Sequence, residues 1–496
     1  MWITILNLVQ GVGWVGLGCF SLHYLWLLGV WLTHRQAPRP AGRFAELPAV
    51  TVQLPVFNER YVVERLLEAV ARLDYPRDRL EIQVLDDSTD DTTALIAQRV
   101  EALRAQGYRI RHICRADRIG FKAGALAEGL GRAGGEFLAL FDADFVPASD
   151  FLLRTIHYFT DPAVGMVQAR WGHLNRTDSL LTRAQALMLD GHFLIEQVAR
   201  SRGGMFFNFN GSAGVWRTRT IVEAGGWQSD TLAEDLDLSY RAQLQGWRFI
   251  YARDVVVPAE LPAKMASLKA QHRRWAQGSI QTAMKLLPTV LRSYEPLRVK
   301  IEACFHFGNW LHYPLGVLAA VLILPQLMVN HALRMQDHLW GGLISILLLL
   351  TTTLFHLVAQ RQVGTLRWGF LLEVPALMAV SVGLALNNTQ AIWDALRKSP
   401  WSFQRTPKYS SSLDGPPSSA YRAPGGTGWW WTEVALGVYL CIALAYAASQ
   451  AFYTVVPFLL PLSAGFLYSG FSSIVPEEPF QSIPGRRSLA APLEPS

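Results

Sequence analysis

The sequence predicts an α/β domain with a mainly parallel sheet, inserted into an α-helical membrane region of about five spans. Of the 496 residues, 51% are hydrophobic and only 17% are charged, and the long apolar runs lie at the two ends of the chain. Roughly 210 residues between these ends contain no run of membrane-spanning length. Within that stretch, short β-rich runs alternate with helical periodicity, a pattern typical of strands joined by helices in a parallel sheet.

The first apolar run predicts a membrane helix at residues 1–33. No basic residue precedes this run, whereas three arginines and a histidine follow it between positions 34 and 43. Because positive flanks stay on the cytoplasmic side, we expect an uncleaved anchor whose N-terminus faces outward. A Pro-containing linker, residues 34–48, then leads into the α/β domain, which is predicted at 49–262.

Three β-rich runs are recognisable in this domain. They lie at residues 50–54, 81–85 and 137–141, each is followed by polar loop residues, and a helical period at 61–73 separates the first two. In parallel sheets, ligands bind beyond the carboxyl ends of the strands. The polar residues that follow the three runs are therefore expected to converge on one crevice.

Further membrane elements follow the domain. Residues 263–300 are basic and amphipathic, which predicts helices lying in the headgroup plane, a plain surface helix being the alternative. Two spans are predicted at 301–360 and two more at 429–473. We therefore expect an integral protein of a bacterial inner membrane or plasma membrane, with the α/β domain in the cytoplasm and membrane lipids as partners.

The segment 368–398 is apolar but contains Glu373 and Pro375. If it spanned the membrane, the basic loop at 399–428 would lie outside the cell, so an interfacial or re-entrant helix is predicted instead. The tail at 474–496 is rich in Pro, Ser and Glu, and we expect it to be disordered and cytosolic.

Composition argues against several kinds of site and partner. Cys19, Cys114, Cys304 and Cys441 have no metal-binding or disulfide-type spacing, so we expect neither a disulfide framework nor a zinc site. The net charge is +6, and no nucleic-acid-binding motif accompanies it. The charge therefore indicates anionic lipid headgroups or nucleotide phosphates as partners, and no nucleic acid.

Two pairs of carboxylates follow predicted strands. Asp142 and Asp144 stand two residues apart, a spacing at which an extended chain points both side chains the same way. Mg²⁺ and Mn²⁺ prefer hard carboxylate ligands and neutralise a departing diphosphate. Asp86 and Asp87 are candidates for hydrogen bonds to a nucleoside. For both pairs, the alternative is a helix cap or an Asx-turn.

Two more clusters have the chemistry of sugar transfer. Inverting transfer needs a carboxylate base that takes the proton of the acceptor hydroxyl, and Asp235, beside Glu234, is the candidate. Gln271, Arg274 and Trp275 offer donors to phosphate oxygens beside an indole face on which a sugar ring packs. The alternatives are an acidic helix start for the first cluster and membrane-surface Arg and Trp for the second.

Taken in chain order, these clusters carry a family resemblance. Asp86-Asp87, Asp142-x-Asp144, Glu234-Asp235 and Gln271-x-x-Arg274-Trp275 resemble the D, DxD, ED and QxxRW signature of processive family 2 glycosyltransferases, to which cellulose and hyaluronan synthases belong. The runs at 53–59, 83–90 and 209–217 are similar to those of plant cellulose-synthase-like A mannan and glucomannan synthases and their bacterial relatives. The resemblance implies an α/β GT-A (Rossmann-like) fold and a divalent cofactor, Mg²⁺ or Mn²⁺.

The resemblance also implies residue roles. The nucleotide sugar would be bound by Pro55, Asn58, Glu59, Asp86, Asp87, Lys122, Asp142, Gln271 and Arg274. Asp142 and Asp144 would hold the metal, and Asp235 would be the base, with Glu234 beside it. The acceptor would contact Phe209, Asn210, Gly211 and Trp275. The run Phe403-Gln-Arg-Thr-Pro-Lys408 resembles the FxVTxK gating loop that closes over the donor, which would bring Arg405 and Lys408 to it, although Arg405 replaces the Val of that pattern.

The function implied is that of an inverting, metal-dependent, processive β-glycosyltransferase. It would take sugar from UDP-glucose or GDP-mannose, elongate a β-linked glucan, mannan or glucomannan, with 1,4 linkages favoured by the resemblance, and pass the polymer through its own membrane channel. An accessory subunit is a further possible partner. One alternative is a non-processive lipid glycosyltransferase of the ceramide-glucosyltransferase kind, and another is an inactive membrane scaffold.

Overall fold

A computed structural model of the chain describes residues 1–34, 36–333, 339–364, 369–399, 408 and 430–474. Most of the predicted gating loop, including Arg405, lies outside the described residues, as does nearly all of the tail whose disorder the sequence predicts.

Within the described residues, seven strands form one sheet. They are β1 (Val50–Val56), β2 (Leu80–Asp86), β3 (Ile110–Cys114), β4 (Phe137–Leu140), β5 (Val164–His173), β6 (Gly214–Arg217) and β7 (Arg248–Ala259). Their order across the sheet is β3-β2-β1-β4-β6-β5-β7, so β3 and β7 are the edge strands.

The first four strands run parallel to one another, and three of them, β1, β2 and β4, are the strands that the sequence predicts. Their carboxyl ends therefore lie at the same edge of the sheet, and the polar residues after β1, β2 and β4 converge there. Strand β6 runs antiparallel to both β4 and β5, which makes the sheet mixed rather than purely parallel. Strand β6 has four residues, as β4 does, but it contains a glycine and an arginine whereas β4 is wholly apolar, so β6 gives no strand signal in the sequence.

Helices connect the strands and cover both faces of the sheet. Helix α1 (Trp2–Thr33) precedes the sheet. Those within the domain are α2 (Val63–Ala71), α3 (Thr92–Ala105), α4 (Phe121–Arg132), α5 (Phe151–Thr155), α6 (Leu180–Gly191), α7 (Gln197–Arg202), α8 (Thr218–Glu223) and α9 (Glu234–Leu244). One core layer includes Val52 and Leu54, and the layer on the opposite face includes Leu138 and Trp216, all fully buried. Burial of each such side chain contributes roughly 1.5–3 kcal/mol.

The remaining helices follow the sheet. They are α10 (Met265–Arg292), α11 (Leu297–Gly308), α12 (His312–Ala332), α13 (Leu339–Val363), α14 (Phe370–Gly383), α15 (Ala385–Leu396), α16 (Trp430–Ser449) and α17 (Val456–Ile474). Five segments of the described chain are long and apolar enough to cross a membrane: Trp2–Thr33, Leu297–Ala332, Gly342–Val363, Trp430–Ser449 and Tyr453–Ser473. Their number agrees with the five spans predicted from the sequence.

Helices α14 and α15 form a pair bent by 40°, which is either a broken span or a re-entrant loop. The pair occupies the segment 368–398 for which the sequence predicts an interfacial or re-entrant helix. The count of candidate spans rises to six if the pair is taken as one span.

A buried ion pair anchors α10 to the last two helices. Lys269 Nζ lies 2.7 Å from Glu433 Oε2 and donates to Ser473 Oγ at 2.8 Å. The side chains of Lys269 and Glu433 are only 8% and 4% exposed. Because α10 carries the QxxRW motif, this contact fixes the motif relative to the membrane helices.

A second buried network joins α1, α7 and α11. Glu302 accepts from Arg200 Nε at 2.6 Å through Oε1 and lies 2.7 Å from His23 Nε2 through Oε2. Arg200 also pairs with Glu196 at 3.0 Å. The side chains of Arg200 and Glu302 are 2% and 1% exposed, so neither charge is stabilised by bulk water.

Replacing Glu302 with Ala is expected to lower the free energy of unfolding by about 3 kcal/mol, because Arg200 then keeps only one of its two carboxylate partners in a buried setting. Thermal unfolding of the detergent-purified protein measures the loss as a lower midpoint temperature. Glu101→Ala is the matched control, since Glu101 is 70% exposed in its pair with Arg104 and its loss costs below about 1 kcal/mol. Equal midpoints for the two variants would contradict the structural role of Glu302.

Candidate active site

A cavity of about 200 Å³ lies beyond the carboxyl ends of the strands, and we call it the strand-end cavity. Its wall includes most of the predicted site residues: Pro55, Glu59, Asp87, Lys122, Asp142, Asp144, Asn210, Gly211, Glu234, Asp235, Gln271, Arg274, Trp275 and Lys408. The three acidic motifs and the QxxRW motif are far apart in sequence, and they therefore meet around one cavity.

Lys122 connects the DxD motif to the ED motif. Its Nζ donates to Asp142 Oδ1 at 2.6 Å and to the carbonyl of Gly211 at 2.8 Å, and it lies 3.9 Å from Glu234 Oε1. Burial lowers the pKa of Lys122, but the carboxylates of Asp142 and Glu234 outweigh this effect and the net shift is upward. Lys122 thus remains protonated and partly offsets the negative charge of the cavity.

Asp144 lies deeper than Asp142 and is only 7% exposed. Its Oδ2 accepts from Lys408 Nζ at 2.8 Å and from the backbone N–H of Glu260 at 3.3 Å. The carboxylate of Glu260 pairs with Arg65 at 2.8 Å. Lys408, which ends the run that resembles a gating loop, therefore contacts Asp144, and the neighbouring residues of that run lie outside the described part of the chain.

Asp235 stands in the first turn of α9 at the base of the cavity. Burial and the neighbouring Glu234 carboxylate raise the pKa of Asp235 to about 7, against the opposing effect of Lys122. Its Oδ1 accepts from the backbone N–H of Leu236 at 2.8 Å. A carboxyl group whose pKa lies near neutrality is suited to proton transfer at physiological pH.

Gly211 permits close approach of the chain to this carboxylate. Its φ is +79°, a conformation that residues with a side chain rarely adopt. A Cβ added there would lie 3.0 Å from Asp235 Oδ2 and 3.5 Å from Lys122 Nζ. The glycine thus keeps open the space in front of Asp235.

Helix α10 supplies the basic and aromatic wall. Gln271, Arg274 and Trp275 all line the strand-end cavity. Burial lowers the pKa of Arg274, with the carboxylates of Glu234 and Asp142 acting in the opposite direction, and its guanidinium remains cationic at any physiological pH. The arrangement places a permanent positive charge opposite the acidic motifs, where a diphosphate would be neutralised.

Aromatic and ionic contacts form the other end of the cavity. Arg115 Nε donates to Asp87 Oδ1 at 2.8 Å, and the Arg118 guanidinium lies 3.2 Å from the centroid of the Phe57 ring. Asp87, Arg118 and Phe57 line the cavity, together with Pro55. This end of the cavity therefore combines a guanidinium stacked on an aromatic ring with a carboxylate.

Asn58 and Asp86 are not among the residues that line the strand-end cavity; they hold its loops in place. Asn58 has a φ of +55°, donates its backbone N–H to Ser88 Oγ at 2.9 Å and accepts from the N–H of Thr89 at 2.8 Å. Asp86 accepts from the N–H of Ser88 at 2.9 Å. These contacts join the loop after β1 to the loop after β2.

A second cavity of about 450 Å³, the helix cavity, extends between α1, α12, α13, α14 and α17. It shares the wall residues Trp171, Leu189, Asn210, Ala233, Asp235 and Trp275 with the strand-end cavity. Trp310, His312 and Tyr313 line it further along. Asp235 and Trp275 therefore stand where the two cavities adjoin.

The predicted acceptor run 209–211 is divided between core and cavity. Asn210 lines both cavities, accepts from Gln197 at 2.6 Å and lies 3.1 Å from His192 Nε2. Phe209 is fully buried and packs edge-to-face on Trp216 with a centroid distance of 5.6 Å. Phe209 therefore positions Asn210 through the backbone and does not line either cavity.

Several cavity residues escaped the sequence analysis. Trp171 lies within β5, and Glu260 comes directly after β7. Neither strand was recognised in the sequence. Arg118 stands in a loop without a motif of its own. Recognition of β5 and β7 as strands would have pointed to Trp171 and Glu260, because both stand towards carboxyl ends.

The residues present fit a divalent cation. Two carboxylates, Asp142 and Asp144, meet at the strand-end cavity, and each pairs with the ammonium group of a lysine, which shows that this position favours positive charge. The donors are hard oxygens of the kind that Mg²⁺ and Mn²⁺ prefer.

The geometry agrees with comparisons to known proteins. The profile of the family described as "Glycosyltransferase like family 2" matches residues 48–278. This domain belongs to the family 2 glycosyltransferases. The glycosyltransferase domain has the GT-A fold: a mannosyltransferase from Pyrobaculum calidifontis, solved in complex with GDP-Man and Mn2+, superposes with a TM-score of 0.54 over 80% of this chain and 99% of that one, at 22% identity.

Plant enzymes are among the curated relatives of the glycosyltransferase domain. The glucomannan 4-beta-mannosyltransferase 2 of Arabidopsis thaliana is 44% identical over 255 residues, covering 50% of this chain and 48% of that protein. The probable glucomannan 4-beta-mannosyltransferase 9 of Oryza sativa subsp. japonica is 43% identical over 303 residues, covering 58% and 57%. The chain thus matches about half the length of these relatives. They support the resemblance to the cellulose-synthase-like A group.

Proposed function

We propose that the protein is a membrane-embedded, inverting β-mannosyltransferase that transfers mannose from GDP-mannose to the end of a β-1,4-linked mannan or glucomannan. The observation that carries this proposal is the position of Asp235 between the acidic strand-end cavity and the aromatic helix cavity. GDP-mannose is favoured over UDP-glucose because the plant relatives are named mannosyltransferases and the Pyrobaculum calidifontis enzyme was solved with GDP-Man.

In this proposal the nucleoside diphosphate lies in the strand-end cavity. Phe57, Arg118 and Asp87 face the nucleoside, and Arg274 and Lys122 face the diphosphate. Asp142 and Asp144 would hold Mg²⁺ or Mn²⁺, which neutralises the charge developing on the leaving diphosphate. Gln271 is placed to donate a hydrogen bond to a phosphate oxygen.

Transfer itself depends on the chain's own carboxylate. Asp235 takes the proton from the acceptor hydroxyl, the hydroxyl oxygen forms a bond to the anomeric carbon, and the bond from that carbon to the diphosphate oxygen breaks. Glu234 raises the proton affinity of Asp235. Trp275 supplies an indole face for the terminal sugar of the acceptor, at the entrance to the helix cavity.

The helix cavity gives the product a route. Its wall combines indole and phenol rings with polar side chains, which suits a carbohydrate chain, and it lies between helices of membrane-spanning length. We propose that the elongating polymer leaves the catalytic site through this space, with the glycosyltransferase domain on the cytoplasmic side.

The test uses the purified full-length protein in lipid nanodiscs with labelled GDP-mannose or UDP-glucose. We expect turnover of GDP-mannose and a product of many sugars that a β-1,4-mannanase degrades. Turnover of UDP-glucose alone would overturn the donor assignment. A product limited to one sugar on a lipid would establish the non-processive alternative.

A further inference from the structure

We propose that Asp86, His112 and Cys114 form a second cation site, chemically distinct from the DxD motif and suited to a borderline-soft ion such as Zn²⁺. The site lies at the ends of β2 and β3, the latter an edge strand of the sheet. The proposal goes beyond the transferase function and does not depend on it.

The backbone register brings the three side chains together. Cys114 is the register partner of Asp86 in the parallel β2–β3 pair. His112 and Cys114 are two residues apart on β3, so their side chains project from the same face. The position is therefore set by the sheet rather than by a loop. Asp86 and His112 are separated by 26 positions in the chain, which explains why the sequence spacing showed no zinc motif.

The donor atoms are close to the geometry of a bound ion. His112 Nε2 lies 2.8 Å from Asp86 Oδ2 and 3.3 Å from Cys114 Sγ, and one donor atom of each residue falls within 4.8 Å of the others. Zinc–ligand bonds of about 2.0–2.3 Å place tetrahedral donors about 3.5 Å apart. Small side-chain movements would therefore bring three protein ligands to these distances and leave a fourth position open to water.

Burial and hydrogen bonding prepare the ligands. The Asp86 side chain is fully buried and that of His112 is 13% exposed, whereas Cys114 is exposed and gives access to solvent. Asp86 Oδ1 remains bonded to the N–H of Ser88, which orients the carboxylate and leaves Oδ2 for the cation. The nearby Arg115 guanidinium is already paired with Asp87 at 2.5 Å, so its charge is largely offset.

The ligand set determines which ion binds. Thiolate and imidazole favour Zn²⁺ and Co²⁺, whereas the all-carboxylate DxD motif favours Mg²⁺ and Mn²⁺. An ion here would cross-link the ends of β2 and β3. Asp87, the next residue after Asp86, lines the strand-end cavity, so the cross-link would hold the loop on which that part of the cavity depends.

Co²⁺ is the probe, because thiolate ligation gives it a charge-transfer absorption band. The full-length protein is titrated with Co²⁺ in the presence of excess Mg²⁺. We expect the band in the wild-type protein and in Cys304→Ser, the matched control, and its loss in Cys114→Ser. His112→Ala is expected to weaken Co²⁺ binding by at least about tenfold. A variant with Cys19, Cys304 and Cys441 all replaced by Ser should retain the band.

Persistence of the band in Cys114→Ser, or displacement of Co²⁺ by Mg²⁺, would overturn the proposal. Thermal unfolding provides a second measurement: Zn²⁺ should raise the midpoint temperature of the wild-type protein and Cys304→Ser but not of Cys114→Ser. Neither measurement needs a sugar donor, so failure of the mannosyltransferase proposal would leave both results intact. Conversely, when no Zn²⁺ or Co²⁺ is added, Cys114→Ser should turn over GDP-mannose at the wild-type rate, since Cys114 lies outside both cavities.

Discussion

Replacing Asp235 with Asn is expected to reduce the rate of sugar transfer by about 10³-fold while GDP-mannose still binds. The amide has the shape of the carboxyl group but takes no proton from the acceptor. Burial already brings the pKa of Asp235 to about 7, so the site accommodates a neutral side chain and the fold should be retained. The measurement is kcat from labelled product, with donor affinity determined separately by calorimetry.

The control for this variant is Asp230→Asn. Asp230 stands five residues earlier, pairs with Lys285 at 2.8 Å and is 56% exposed, so its loss should leave kcat near the wild-type value. A turnover of Asp235→Asn equal to that of this control would remove Asp235 from the role of base.

The raised pKa of Asp235 also predicts the pH dependence. A base acts in its ionised form, and burial together with Glu234 favours the protonated form. Activity should therefore fall as the pH decreases through about 7, and kcat/KM against pH reports the ionisation in the free enzyme. A profile that stays flat down to pH values near the ordinary pKa of an aspartate, about 4, would contradict this assignment.

Replacing Asp144 with Asn is expected to lower transfer by about 10³-fold through a different step, namely loss of Mn²⁺ affinity. Asp144 contributes a charged oxygen next to Asp142, and an amide leaves the pair with half its negative charge. Mn²⁺ binding followed by electron paramagnetic resonance measures this effect without catalysis. GDP-mannose binding that depends on Mn²⁺ should weaken in parallel, in contrast to Asp235→Asn.

Asp150→Asn is the matched control for the metal site. Asp150 lies six residues after Asp144, pairs with Arg154 at 3.8 Å and is 52% exposed. Its replacement should change neither Mn²⁺ affinity nor rate. If Asp144→Asn binds Mn²⁺ as tightly as Asp150→Asn does, Asp144 is not a metal ligand.

The sequence predicted the parts of the fold that have a strong period or a long apolar run. Strands β1, β2 and β4 and the five candidate spans are of this kind. Strands β3, β5, β6 and β7 were not recognised. Strands β3 and β6 are short and contain charged residues, which weakens their apolar pattern. Strands β5 and β7 lie side by side with irregular register, where pairing rather than local preference decides the conformation.

The site could be predicted to a similar degree. Motif residues such as Asp142, Asp235 and Arg274 carry chemistry that is recognisable by residue type and spacing, and the structure places all three on one cavity. The family resemblance also assigned Phe209 to the acceptor site, yet its side chain is buried in the core. The direction of a side chain in the irregular segment between α7 and β6 depends on tertiary packing, which the residue pattern does not reveal.

By itself, the sequence determined which chemical groups this protein has: hard carboxylates, a candidate base, hydrogen-bond donors to phosphate oxygens, and apolar helices. These depend only on the identity of the residues and on short-range periodicity. Tertiary structure decided which residues that are far apart in the chain come into contact. It joined Lys122 to both acidic motifs, raised the proton affinity of Asp235 by burial, and placed Asp86, His112 and Cys114 in contact. Desolvation and charge interactions act through space, so these properties arise only when the sheet and the helices around it are assembled.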